Sequence, residues 1–195
     1  TQCPVGINTG ELIREMRRER LAPYADTAHR VGRHFSGTTR LARGMLHLAG
    51  VGRAVLGERG LSKVSGAITQ ASGGKVPQWI PTLPRAASIR VLDRKRTSDS
   101  VRDKVVYFPS CATRVFGAGH GDSENRSIME ITLSLLEKAG FEVIVPEMPG
   151  HLCCGMAFQS KGQFEEATHK ARELNRELLV ASQNGRYPIL SDTSP

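Results

Sequence analysis

The chain has 195 residues, a formal net charge of +8 and a sequence pI of about 9.7. This length fits one domain, or one small domain with a helical appendage. No stretch approaches the roughly 20 consecutive apolar residues that a membrane-spanning helix needs, and the N-terminus lacks the basic start and apolar run of a signal peptide. These features predict an ordinary globular core without a membrane-spanning helix.

The positive charge is distributed along the chain and peaks in two segments, residues 14–20 and 90–96. Only ten aromatic residues accompany it, and they do not alternate with the basic segments as they do in platforms that stack single-stranded nucleic acid. We therefore expect solvated basic helix faces and no nucleic-acid partner. Binding to an anionic membrane surface or to an acidic protein remains open.

Residues 1–70 have the sequence features of helices. Asn8 is a candidate N-cap, and Glu11 follows it at the spacing of a capping box. Further helices are predicted over residues 23–34, 37–56 and 59–70. The predicted breaks between them are Pro23, Gly37, Gly57 and Gly60.

Residues 71–103 differ in composition from the helical part before them. Their glycines and prolines forbid a continuous helix. We predict an extended strap that packs on a hydrophobic surface through Trp79, followed by an exposed, charged linker.

Residues 104–195 alternate between apolar strands and amphipathic helices. The predicted strands cover residues 105–108, 141–145 and 187–190. The predicted helices cover residues 124–139, where Ile128, Ile131 and Leu135 recur at helical spacing, and residues 162–183. The order β-α-β-α-β is typical of a parallel sheet with right-handed crossovers. We therefore predict an α/β protein in which a helical N-terminal part precedes a Rossmann-like parallel-sheet unit.

Cysteines follow two of the three predicted strands. Ser110 and Cys111 come after the first strand, and His151, Cys153, Cys154 and Gly155 come after the second. Because ligands bind at the carboxyl edge of a parallel sheet, thiols that are 42 positions apart are expected to meet there. Thiolates bind iron–sulfur clusters or zinc, and a nearby glycine lets the backbone approach the metal. The pattern predicts a metal site of either kind, with Ser110, His151 and Gly155 close to it.

The cysteine pattern resembles a known family. Cys111 followed by Cys153-Cys154-Gly155 is similar to the cysteine-rich CCG domain of heterodisulfide reductase and of iron–sulfur subunits of glycerol-3-phosphate and lactate oxidoreductases. The segments 107–111 and 191–195 look most like the C-terminal part of fused, FAD-linked D-lactate dehydrogenases. The opening Cys3-Pro4 resembles the end of their C-x2-C-x2-C-x3-C-P cluster motif, although the other cysteines of that motif are absent.

This resemblance implies a domain organisation and a ligand set. Residues 1–70 would contain the tail of a ferredoxin-like 4Fe-4S domain, residues 71–103 a linker, and residues 104–195 a truncated CCG domain. The implied metal ligands are Cys3, Cys111, Cys153 and Cys154.

The resemblance also implies a function. A flavin (FAD) on an upstream domain of the same polypeptide would take a hydride from a 2-hydroxy acid, with D-lactate the first candidate. Electrons would then pass through 4Fe-4S clusters to a quinone or cytochrome acceptor. We expect a fragment of such an oxidoreductase that is inactive alone and cytoplasmic, with peripheral contact to the inner face of the cell membrane as an open alternative. The competing hypothesis is a zinc-stabilised structural or interaction module without a redox role.

Overall fold

The computed structural model describes residues 8–93, 103–147 and 150–193. The helices are α1 (Thr9–Leu21), α2 (Ala25–Arg33), α3 (Phe35–Ala71), α4 (Cys111–Val115), α5 (Ile128–Lys138), α6 (Met156–Gln159) and α7 (Phe164–Ala181). The strands are β1 (Lys104–Phe108), β2 (Glu142–Ile144) and β3 (Ile189–Ser191), and short 3-10 helices cover Ala22–Tyr24 and Ile89–Asp93. Cys3 lies outside the described residues, as does most of the predicted charged linker.

The three strands form one parallel sheet in the order β2-β1-β3. Val105 pairs with Val143, and Tyr107 pairs with Leu190. β1 is the central strand and is buried from Val105 to its end, which explains why its sequence is an unbroken apolar run and not an alternating one. The predicted α/β fold, with a helical part followed by strands that alternate with helices, is confirmed.

Helix α5 covers β1 and β2. It begins with a capping box, in which the Ser127 side chain accepts from the Glu130 amide and the Glu130 carboxylate accepts from the Ser127 amide. The predicted helix is confirmed, but its apolar residues Ile128, Ile131 and Leu135 are exposed. A neighbouring stripe, formed by Met129, Leu133 and Leu136, is buried instead. Both stripes have helical spacing, so only the position of the sheet decides which of them faces inward.

The N-terminal helices are less interrupted than the sequence predicts. Asn8 caps α1 as predicted, because its side-chain oxygen accepts from the amides of Gly10 and Glu11. The break at Gly57 is confirmed as a kink with φ +67°, but the breaks predicted at Gly37 and Gly60 are wrong because α3 continues through both. A glycine inside a helix costs only about 1 kcal/mol relative to alanine, which the rest of a long helix offsets.

The helical part packs directly on the α/β part. Phe35, at the start of α3, lies in one buried cluster with Cys153, Phe158 and Ala167. On α2, the His29 imidazole lies 3.0 Å from the buried Glu166 carboxylate of α7. The first turn of α3 therefore reaches the loop that carries Cys153, and α2 contacts α7.

Residues 72–88 form turns and irregular backbone, and Trp79 within them is buried. The Trp79 amide donates to the Ser65 hydroxyl of α3 at 3.2 Å, and Ala86 forms an isolated antiparallel bridge with Phe116. The last described residues of the strap form the 3-10 helix that ends at Asp93, which the sequence did not predict. None of the helices in the described ranges is both long and apolar enough to cross a membrane.

Candidate functional site

The candidate site lies at the carboxyl edge of the sheet, where Asp192 joins β3 to β1 and α4. Its carboxylate accepts from the Tyr107 hydroxyl at 2.8 Å, the Ser110 amide at 2.9 Å and the Thr113 hydroxyl at 2.8 Å. Burial, followed by the hydrogen bond to Asp192, raises the pKa of Tyr107 above its usual value. These bonds fix the beginning of α4 relative to two strands.

Helix α4 sets the positions of two side chains. Ser110 is its N-cap, with a hydroxyl that accepts from the Thr113 amide at 3.2 Å. Cys111 is therefore the first helical residue, and Arg114 follows it at i+3, on the same side of the helix. The sequence predicted Ser110 near the metal site, and the structure shows the side chain capping the helix that carries Cys111.

The structure brings Cys111 and Cys153 into contact. Cys111 is partly buried and packs against the buried cluster that contains Cys153. The hydrogen bond from Cys153, the charge of Arg114 and nearby backbone amides lower the pKa of Cys111 to about 6, although burial opposes this change. The same hydrogen bond and burial raise the pKa of Cys153. The pair thus favours a thiolate on Cys111, while Cys153 keeps its proton.

Arg114 is a buried cation beside this pair, with 4% of its surface exposed. Its Nε donates to the Ser110 carbonyl at 3.2 Å and its Nη2 donates to the Leu152 carbonyl. Its Nη1 is buried without an acceptor among the described residues. A buried guanidinium is costly unless negative charge lies nearby, and the charges of Cys111 and Cys153 favour its protonated form, while burial lowers its pKa. The guanidinium of Arg114 therefore favours a thiolate over a neutral thiol at this site.

The other predicted residues of the cysteine loop have different environments. Cys154 packs against the cluster of Phe108, Leu152 and Leu174, whereas Cys153 belongs to the cluster around Phe35. The backbone carbonyl of His151 accepts from Lys170 at 3.2 Å.

Gly155 supports the thiol pair through its backbone. Its amide lies 3.4 Å from the Cys153 sulfur and donates to it. Its φ of +85° is in the left-handed region, and a Cβ there would lie 2.4 Å from the carbonyl oxygen of Ala167. The glycine lets the cysteine loop pass directly against α7.

The donor set fits part of a metal centre. Two thiols in contact, a donor to one sulfur and a buried cation suit two ligand positions of an iron–sulfur cluster. Within residues 8–93, 103–147 and 150–193, no three His, Cys, Asp or Glu side chains are grouped so that they could hold one metal ion. A closed zinc or cluster site takes four protein ligands. Further ligands would therefore have to come from rearrangement of the Cys154 side chain or from outside the described residues.

The sequence interpretation missed Arg114 and the Asp192 network. Arg114 could have been found as the i+3 partner of Cys111 once residues 111–115 were recognised as a capped helix. Asp192 is harder to identify from the sequence. Its bonds to Tyr107 and Ser110 require the parallel neighbour β1, which no local pattern reveals.

One comparison with known proteins gives a match. Residues 105–192 match the family model described as the CCG cysteine-rich domain. This match supports the CCG region that Cys111 and the Cys153-Cys154-Gly155 motif predicted, and it is compatible with an iron–sulfur module. No curated protein and no solved structure matches the chain.

Proposed function

We propose that the region matching the CCG domain, residues 105–192, is an iron–sulfur electron-transfer module in which Cys111 and Cys153 are cluster ligands. The observation that carries the proposal is the contact between these thiols at the carboxyl edge of the parallel sheet, beside a buried guanidinium. An iron–sulfur cluster supplies one-electron transfer when it is bound. The thiols would hold it, and the chain's other residues would set its electrostatic environment.

Arg114 and Gly155 would have the main electrostatic roles. The guanidinium offsets the negative charge of thiolate ligands, and the Gly155 amide donates to the Cys153 sulfur. Hydrogen bonds and positive charge next to cluster sulfurs favour the reduced state, so both groups would raise the reduction potential.

The wider role that we propose is an electron relay in a flavin-linked 2-hydroxy-acid dehydrogenase. FAD on another domain would accept the hydride, with D-lactate as substrate, and the relay would deliver single electrons to a quinone or cytochrome. A cytoplasmic location with contact to the inner membrane face would suit a quinone acceptor. This wider role rests on the sequence resemblance of segments 107–111 and 191–195.

The module is tested by anaerobic reconstitution with ferrous iron and sulfide. We expect the chain to bind iron and acid-labile sulfide in equal amounts, to turn brown and to give an electron paramagnetic resonance signal on reduction. Cys111→Ser and Cys153→Ser should lower the bound iron more than the matched control Cys154→Ser, because the Cys154 side chain packs in a different cluster. A colourless protein that instead binds stoichiometric zinc would overturn the redox assignment.

The dehydrogenase role is tested on the full-length gene product. Addition of D-lactate without oxygen should bleach the visible absorption of both flavin and cluster. D-2-hydroxyglutarate and glycolate are tested in the same way as alternative substrates. A cluster that dithionite reduces but none of the three hydroxy acids reduces would refute this role and leave the iron–sulfur module intact.

A further inference from the structure

A groove with both polar and apolar lining lies between α3 and the segments around residues 85 and 120, apart from the thiol pair. It has a volume of about 690 Å³, within the range of small-molecule sites. Leu46, Gly50 and Arg53 of α3 line it at i, i+4 and i+7, so one face of the helix forms its wall.

Two arginines give the groove its positive charge. Arg53 lines it from α3 and pairs with Glu58, yet its Nη1 is buried without an acceptor among the described residues. Arg85 lines it from the strap, and its side chain donates hydrogen bonds to Asn125 and His120, neither of which is a carboxylate. The groove therefore contains more guanidinium charge than the neighbouring carboxylate balances.

His120 is an acceptor in this cluster. Burial, Arg53 and Arg85 lower the pKa of His120, and its Nδ1 lies 3.5 Å from the Arg85 Nε that donates to it. The contact directs one edge of the Arg85 guanidinium toward His120. A planar guanidinium held in this way is suited to binding an oxyanion through two parallel hydrogen bonds.

Apart from His47, the other lining residues are apolar or glycine. Leu46, Val51 and Ala86 provide apolar surface, and a Cβ at Gly50 would meet nothing within 4 Å. Packing within the protein therefore does not explain a glycine at this helical position, where alanine would favour the helix. Because Gly50 has no side chain, the groove is not filled at this position beside Arg53 and Arg85.

We propose that this groove binds an organic anion, with its phosphate or carboxylate group between Arg53 and Arg85 and its apolar part on Leu46 and Val51. Guanidinium groups recognise both oxyanions by the same geometry, and the apolar lining favours a ligand with a hydrocarbon or aromatic body over an inorganic ion. The site does not depend on the iron–sulfur proposal.

The proposal is tested by isothermal titration calorimetry of the metal-free full chain with phenyl phosphate, benzoate and inorganic phosphate. We expect saturable binding of phenyl phosphate or benzoate, at least tenfold tighter than that of inorganic phosphate. Binding of phenyl phosphate alone identifies a phosphate ligand, and binding of benzoate alone identifies a carboxylate ligand. Absence of saturable binding by both organic anions overturns the proposal.

Variants locate the binding. Arg85→Gln should weaken it at least tenfold, whereas Arg59→Gln, at an exposed arginine of α3 outside the groove lining, should leave it unchanged. Glu58→Gln should strengthen binding severalfold, because it removes the carboxylate that competes for Arg53. Equal affinities for Arg85→Gln and Arg59→Gln would place the ligand elsewhere and refute the assignment.

Gly50→Leu separates binding from folding. It should fill the groove and lower affinity at least tenfold, while thermal unfolding followed by circular dichroism occurs at no lower temperature than in the unmodified chain. Unchanged affinity in this variant would also overturn the site. In the reconstituted protein, Arg85→Gln should leave the visible iron–sulfur absorption unaltered, so the two proposals can fail separately.

Discussion

Gly155 provides a sharp test of how the cysteine loop is held. A Cβ on this residue would lie 2.4 Å from the oxygen, 3.0 Å from the carbonyl carbon and 3.1 Å from the Cα of Ala167. All three are backbone atoms of α7, so they cannot move aside as a flexible side chain can. Gly155→Ala must therefore displace either the loop that carries Cys153 or the helix.

Two contributions set the expected loss of stability. An alanine at a φ of +85° costs about 1–2 kcal/mol because the left-handed region brings Cβ close to the backbone. The forced contact with α7 adds about 1–3 kcal/mol, as other overpacking substitutions do. We expect the free energy of unfolding to fall by about 2–5 kcal/mol, measured by urea unfolding with an unchanged dependence on urea concentration.

Gly140→Ala is the matched control. Gly140 follows α5 with a φ of +88°, and a Cβ there would meet nothing within 4 Å. This variant should lose only the backbone contribution of about 1–2 kcal/mol. If both variants lose the same free energy, the contact between the cysteine loop and α7 is not a packing constraint, and the reasoning is refuted.

Four further substitutions, at three residues, test the network at the sheet edge. Asp192→Asn should cost about 1–2 kcal/mol in urea unfolding, because the hydrogen bonds from Tyr107 and Ser110 then reach a neutral group; no loss would mean that the carboxylate does not anchor β3. The raised pKa of Tyr107 means that folding favours its protonated form, so stability is lost as pH rises past about 10. Tyr107→Phe should lose less stability between pH 8 and pH 11 than the unmodified chain, and an equal loss would contradict the burial of this hydroxyl. Arg114→Met should cost about 1–3 kcal/mol because it removes the donor to the buried Leu152 carbonyl, whereas the Ser110 carbonyl still accepts from the Thr113 hydroxyl, and Arg114→Lys should recover only part of this loss; full recovery by lysine would show that charge alone matters.

The cysteine loop shows how far sequence reasoning reaches at the site. The expectation that Cys111 and the 153–154 pair lie at one sheet edge followed from the strand order, because parallel strands end together. The separation of Cys153 from Cys154 did not follow, since it depends on which cluster each side chain enters. The sequence therefore shows which loop carries each cysteine, whereas tertiary packing determines which cluster each cysteine side chain enters.

Buried charges were likewise invisible in the sequence. Arg114, Glu166 and Lys170 are buried, although charged residues normally predict solvent exposure. Each has a partner that is distant in the chain: Leu152 for Arg114, His29 of α2 for Glu166, and the His151 carbonyl for Lys170. A pattern of apolar spacing cannot reveal such pairs because they form only when separate elements pack.

The sequence alone determined the order of the three strands and of the two longer helices between them in residues 104–193, because apolar runs, helical spacing and glycine stops are local features, but it did not reveal the short helices α4 and α6. It also determined which loops carry the cysteines. The tertiary structure alone decided which stripe of α5 is buried, which sulfur meets Cys111, and that a buried guanidinium lies beside them. These properties depend on contacts between residues far apart in the chain, where desolvation and charge act together only after the elements have packed.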